Sequence, residues 1–186
     1  MSTRQAVPAS VHCLAEGRFL RLLRDRHWEY VTRVNARGAA FIVAVTERRE
    51  LLLVEQYRIP MQARTLELPA GMIGDEAAFS GESIEDSAIR ELEEETGYRG
   101  ARAEVLMSGP VAAGMTSELL YLVEVRDLRQ VHAGGGVEGE DITVHRPPLD
   151  GIDRWLDHQS ARGLLIEPRI YTALYFLLTR RDTAVS

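Results

Sequence analysis

Hydrophobic positions along the chain fall first into short runs of strand length and later into helical stripes. Arg18 to Arg24 and Trp28 to Val34 flank the polar turn Asp25-Arg26-His27, a hairpin pattern. Ala39 to Thr46 and Leu51 to Tyr57 follow as β-rich runs, separated by the charged turn Glu47-Arg48-Arg49-Glu50. A further short strand ends at Glu67-Leu68-Pro69-Ala70-Gly71, because Pro and Gly interrupt the extended run. Strands are also predicted at Ala103 to Met107, Leu119 to Val125 and Ile142 to His145, and helices at Leu149 to His158 and Pro168 to Arg180. The last of these carries proline in its first turn, where a missing N–H costs nothing. Strands interleaved with a few helices, the last at the C-terminal end, predict a mixed α/β sandwich.

The clearest element is the helix between Ser83 and Gly97. Ser83 with Asp86 three residues later approximates a capping box, and Gly97 supplies a stop. Between them Ile84, Ala88 and Leu92 recur at four-residue spacing and Ile89 widens the stripe, so one face is apolar.

Composition adds bounds. The 186 residues suit one domain, 1–186, with residues 181–186 as a tail. A 45% hydrophobic and 27% charged chain is ordinary for a soluble globular protein. Its longest apolar runs, such as Leu51-Leu52-Leu53-Val54, are far short of a membrane span. Met1 to Ser10 lacks the plan of a signal peptide, so the expectation is a cytoplasmic protein with no membrane partner. Cys13 stands alone and cannot form an internal disulfide; beside Val11 and Leu14 it is expected to pack as a small core residue. A net charge of −6 argues against a nucleic-acid partner, which would want a basic stripe.

The acid is not evenly spread. Residues 82–95 hold Glu82, Glu85, Asp86, Glu91, Glu93, Glu94 and Glu95 against Arg90 alone, and Glu138, Glu140 and Asp141 follow three glycines. On a helix, positions 91, 94 and 95 fall within an arc of about 100°. Carboxylates so placed repel one another, and a divalent cation would reverse that sign; hard Mg²⁺ prefers oxygen ligands. Taken without its surroundings, the cluster reads first as a solvated acidic face; Arg90 within it and Gly71 before the helix favour the metal reading.

Residues 90–98, Arg90-Glu91-Leu92-Glu93-Glu94-Glu95-Thr96-Gly97-Tyr98, match the second half of the Nudix box, G-x5-E-x7-R-E-U-x-E-E-x-G-U, with U apolar or aromatic. Glu82 also matches, with seven residues between it and Arg90. The chain thus resembles the Nudix hydrolase superfamily. If Gly71 is the box's first glycine, ten residues rather than five separate it from Glu82. An insertion of about five residues within Gly74 to Ser80 accounts for this, in a loop that tolerates added length. The resemblance implies a Nudix α/β/α sandwich with a mixed β-sheet between helices and N-terminal antiparallel strands. It implies Glu91, Glu94 and Glu95 as Mg²⁺ ligands, with Mn²⁺ as a substitute, and adds the backbone carbonyl of Ala70. It places Arg90 and Glu94 in the catalytic machinery, with Glu82, Gly71 and Gly97 in support.

Beyond the box, the chain is similar to the ADP-ribose pyrophosphatase branch over roughly residues 15–180. Val54-Glu55-Gln56-Tyr57-Arg58 and Glu67-Leu68-Pro69-Ala70-Gly71 look like that branch's approach to the box. The likeness makes Trp28, Arg58, Glu67 and Glu118 candidates for substrate binding. Arg58 is then a phosphate or ribose ligand, or else a surface arginine at a strand end; Trp28 stacks on adenine, or else packs in the core. The segment Gly134-Gly135-Gly136-Val137-Glu138-Gly139-Glu140-Asp141 resembles the branch's acidic loop, which makes Glu138 the general base and Glu140 a further acid at the metal. Where that branch carries Pro in S-P-G-x-x-x-E, this chain has Ala113, while Gly114 and Glu118 keep their places. The implied substrate is a nucleoside diphosphate derivative, ADP-ribose first, with GDP-mannose or another sugar nucleotide as the alternative. A catalytically silent nucleotide sensor is a further reading. The branch also forms homodimers through strands corresponding to residues 11–34.

Overall fold

The computed structural model describes residues 10–36, 38–74, 81–136 and 141–179. Thirteen strands and three helices follow in chain order. The strands β1 (His12–Glu16), β2 (Leu20–Asp25) and β3 (Trp28–Arg33) form an antiparallel sheet of their own. Then come β4 (Ala39–Ala44), β5 (Leu53–Arg58), a 3₁₀ turn (Ile59–Met61), β6 (Ala63–Glu67), β7 (Ala70–Met72) and α1 (Ile84–Thr96). After α1 run β8 (Tyr98–Arg99), β9 (Arg102–Pro110), β10 (Leu119–Arg126), β11 (Arg129–Gln130) and β12 (Thr143–His145). The chain closes with α2 (Ile152–Ala161), β13 (Leu165–Ile166) and α3 (Arg169–Thr179). No helix among the described residues is long and apolar enough to cross a membrane.

Two four-stranded sheets organise the body, in the orders β7-β4-β10-β9 and β12-β5-β6-β13. The pairs β4–β10 and β6–β13 are parallel and the other pairs in these sheets antiparallel, so both sheets are mixed. Strand β4 explains the layering, since every residue in it is buried. Its side chains alternate between faces, as a strand's must. Ala39, Phe41 and Val43 join a core with β5, β6, α2 and α3, whereas Ala40, Ile42 and Ala44 join a core with α1, β9 and β10. Helices therefore cover both sides of the sheet layer, which is the expected α/β/α sandwich.

Helix α1 forms as the sequence predicts. The Ser83 hydroxyl accepts from the Asp86 amide at 3.0 Å and donates to the Asp86 carboxylate at 2.8 Å. Ala88 and Leu92 are fully buried, and Ile84 and Ile89 pack beside them. Gly97 ends the helix at φ 75°, its N–H reaching the Glu93 carbonyl at 2.8 Å. A side chain there would collide with the His132 carbonyl as well as strain the backbone.

Other expectations need correction. Cys13 is exposed, as is every residue of β1, because this strand lies at the edge of the small N-terminal sheet. The core reading of Trp28 is also overturned: it starts β3 beside the hairpin turn and is 51% exposed. Leu51 precedes β5, bridging Val45 instead. The suggested insertion falls on residues 75–80, which lie outside the described residues.

Candidate active site

The acidic face of α1 is organised around Arg90. Its guanidinium donates to both oxygens of Glu82, at 3.3 and 3.2 Å. It also lies 2.9 Å from Glu91 and 3.2 Å from Glu94. Burial alone would lower the pKa of Arg90, but the Glu82 hydrogen bonds and the charges of Glu91, Glu82 and Glu94 raise it above the ordinary value. A permanently charged fork is suited to holding several carboxylates in fixed directions. Glu82 therefore acts on the site through Arg90, and the seven-residue gap between them spans the start of the helix.

Strand β7 meets α1 at the same place. The Ala70 amide donates to the Glu95 carboxylate at 3.0 Å. A Cβ built on Gly71 would fall inside the Glu91 carboxyl group. Only a bare backbone at residue 71 lets Glu91 lie flat against the strand. Among the described residues no three acid or histidine side chains converge as a ready-made ligand set; Arg90 and Ala70 hold the carboxylates individually. The donor set still fits a hard divalent cation. It is all oxygen, and its parts are steered by hydrogen-bonding neighbours, as metal ligands usually are.

The acidic loop joins this helix at its root. The Gly135 amide donates to the Glu95 carbonyl at 2.8 Å and the Gly136 amide to the Glu94 carbonyl at 3.1 Å. These bonds satisfy carbonyls that a helix end would otherwise leave open. Glu138 and Glu140 themselves lie outside the described residues. On the far side of that segment, Asp141 pairs with Arg64 at 2.7 Å.

A cleft of about 630 Å³ opens along β7, with Ala70, Gly71 and Met72 in one wall. Its charged lining is paired: Arg58 with Glu67, Arg33 with Glu118 at 2.7 Å, and Arg169 with Glu167 at 2.6 Å. Arg58 grips Glu67 with two hydrogen bonds, at 2.8 and 2.6 Å. Thr65 donates to the same carboxylate. Burial of Glu67, which is 6% exposed, raises its pKa, but the bonds from Arg58 and Thr65 outweigh that and leave it below the ordinary value. Arg58 is thus neither a loose surface residue nor a wholly free ligand: it neutralises a buried acid in the cleft wall.

That pairing gives a stability prediction. Arg58→Met leaves a buried carboxylate short of its main partner and should cost on the order of 2 kcal/mol near neutral pH. A carboxyl held low in the folded state stabilises above its unfolded pKa, about 4.3 for Glu, and that stability is lost as pH falls through the folded value. The gap between wild type and variant in urea melts should therefore narrow below about pH 4. A gap that persists unchanged in acid would locate the cost elsewhere.

The structure thus gathers Arg58, Glu67 and Glu118 in one cleft and Glu82, Arg90, Glu91, Glu94 and Glu95 on its neighbouring helix. Trp28 does not line the cleft of its own chain. Sequence reasoning missed Arg33, Phe41, Glu167 and Arg169, which arrive from three separate elements and the turn before α3.

The NUDIX domain model matches residues 36–174. A Bacillus methanolicus protein named methanol dehydrogenase activator is 32% identical over 134 residues, covering 72% of this chain and 65% of that protein. An ADP-sugar pyrophosphatase of Mus musculus is 37% identical over 139 residues, covering 69% of this chain and 57% of its own length. The chain therefore spans less than two thirds of these curated relatives. A solved structure described as an ADP compounds hydrolase shares the fold with a TM-score of 0.72 at 22% identity, covering 95% of this chain and 94% of the other. Nudix hydrolases generally need a divalent metal, in keeping with the oxygen donors on α1. The matched span runs from before β4 into α3 and takes in the Arg90-centred carboxylates, so the chain belongs to the NUDIX domain family.

Proposed function

We propose that this chain hydrolyses the diphosphate linkage of a nucleoside diphosphate sugar, with ADP-ribose the leading substrate and AMP and ribose 5-phosphate the products. The observation that carries this reading is the adjacency of the Arg90-ordered carboxylates to a cleft of nucleotide-half size, with Ala70 and Gly71 belonging to both. The mouse relative's name supports an ADP-linked sugar. Mg²⁺ is the proposed ion, with Glu91, Glu94, Glu95 and the Ala70 carbonyl to hold it. Bound there, it would supply Lewis-acid neutralisation of charge developing on the diphosphate.

The chain's own residues have separable tasks. Arg90, tied to Glu82, keeps Glu91 and Glu94 oriented. Glu138 is proposed as the base that takes a proton from the attacking water, and Glu140 as a further acid nearby. Gly135 and Gly136, which precede Glu138 in the chain, are hydrogen-bonded to the carbonyls of Glu95 and Glu94, which supports a base close to the proposed ligands. Purified protein with Mg²⁺ should release AMP from ADP-ribose faster than monophosphate from GDP-mannose, dinucleoside polyphosphates or coenzyme A. Release from none of these removes the enzymatic reading, and binding without release favours a nucleotide sensor.

A homodimer through the N-terminal sheet is also proposed. Phe19, Leu20, Leu22 and Trp28 are exposed there, an apolar group that one chain leaves uncovered. In such a pair Trp28 would serve the partner's cleft rather than its own. Sedimentation should give twice the chain mass, and Leu20→Glu with Leu22→Glu should give the single mass; a monomeric wild type rejects the pairing.

A further inference from the structure

The cleft holds three arginines; Arg33, like Arg169, spends only Nε among the described residues, on Glu118 at 2.7 Å, but Arg169 is the one of the three stacked on a ring. Arg58 spends Nε and one terminal nitrogen on Glu67. Arg169 spends only Nε, on Glu167 at 2.6 Å; its two terminal nitrogens carry no hydrogen bond to a described residue. Its guanidinium carbon lies 3.8 Å from the centroid of the Phe41 ring, so one face of the fork is stacked and fixed. The side chain is 27% exposed, while Phe41 beneath it is 8% exposed. Glu167 also accepts the Arg169 amide at 3.1 Å, so the start of α3 is already capped by protein. What remains open is the guanidinium's donor edge.

The position of that edge is informative. Phe41 is the register partner of Ala70 across β4–β7. Ala70 supplies the amide that holds Glu95 and also lines the cleft. Arg169 is therefore stacked on the strand partner of Ala70, whose carbonyl is a proposed metal ligand. An arginine with a stacked face, a tethered Nε and two parallel unspent donors matches the fork that recognises phosphate oxygens. Arg169 lines the cleft, where its charge also acts on the buried Glu67.

We propose that Arg169 is a substrate-binding residue: seated on Phe41 and tethered by Glu167, its terminal nitrogens bind phosphoryl oxygens of the substrate's diphosphate on the cleft side of β7. The proposal rests on the diphosphate reading given above. It assigns Phe41 and Glu167 as positioning residues, which act by fixing the guanidinium.

The test measures binding as well as turnover, on the full chain with Mg²⁺. ADP, a diphosphate lacking the terminal sugar, is titrated calorimetrically into wild type, Arg169→Gln and Arg169→Lys. Loss of a charge-assisted pair should weaken ADP roughly tenfold or more in the glutamine variant. The lysine variant should fall between the two, because an ammonium restores the charge without the fork. For ADP-ribose, KM should rise by about the same factor while kcat stays within about threefold, the pattern of lost ground-state binding. Unchanged ADP affinity in Arg169→Gln overturns the proposal, and so does wild type that binds no ADP. A lysine variant as weak as the glutamine one supports recognition by the fork, since charge alone would then not restore binding. If Arg169→Gln does not fold, the lysine variant decides: full wild-type affinity there rejects recognition by the fork. ADP binding that depends on Arg169, with no turnover of ADP-ribose by wild type, leaves this assignment standing and removes the hydrolytic one.

Discussion

Glu94→Gln is expected to lower kcat for diphosphate hydrolysis on the order of 10³-fold, since a cation's stabilisation of the developing charge is worth several kcal/mol. The fold should barely register the change. Glu94 is 36% exposed and, among the described residues, its one side-chain partner is Arg90, an i,i+4 pair at 3.2 Å. Such pairs contribute about 0.3–0.5 kcal/mol. The bond from Gly136 goes to its backbone carbonyl, which glutamine keeps. Removing one of three neighbouring negative charges even relieves some repulsion along the helix face. The expected result is thus a near-unchanged Tm with a steep loss of turnover, partly recovered at high Mg²⁺. Wild-type kcat across a magnesium titration would exclude Glu94 from the site.

This separation of stability from activity follows from how the site was legible in the chain. Helix α1 could be read in advance because its signals are local: Ser83 and Gly97 mark the ends, and Ala88 and Leu92 mark the buried face. The roles given to Arg90 and Glu82 came from the resemblance to the Nudix box; Glu82 lies before the helix, and the structure brings its carboxylate onto Arg90. The sandwich followed from the alternation of strands and helices, although the two-residue strands β8, β11 and β13 are too short to leave a periodic trace.

The cleft was only partly legible. Arg33 meets Glu118 from 85 positions away, and Arg169 meets Phe41 from the other end of the chain. No spacing rule connects such residues, because their proximity is created by the bridge of β3 to the segment before β10 and by α3 docking against β4. The core readings of Cys13 and Trp28 went wrong for another reason. Apolar residues in β1 to β3 look like core residues, yet this sheet stands apart from the β4 sandwich and leaves several of them in solvent. Hydrophobicity predicts burial against something, and one chain's sequence does not say what that something is.

Gly71→Ala is the sharpest test of the contact between β7 and α1. The backbone at Gly71 is not left-handed, so alanine can adopt it without torsional strain. Replacing glycine at such a position commonly stabilises by about 0.4–1 kcal/mol through the unfolded state. The new methyl would instead collide with the Glu91 carboxyl group. Glu91 Cγ lies in the way as well, so the whole side chain must swing aside while the strand stays. Tm should hold or rise slightly while Glu91 loses its place beside residue 71. Turnover is then expected to fall about 10²–10³-fold, as when a metal-site ligand is lost. The concentration of Mg²⁺ giving half-maximal rate should rise with it. A variant with lower Tm and unchanged magnesium response would mean that Gly71 serves strand packing rather than the carboxylate. One with wild-type turnover would take Glu91 out of the ligand set.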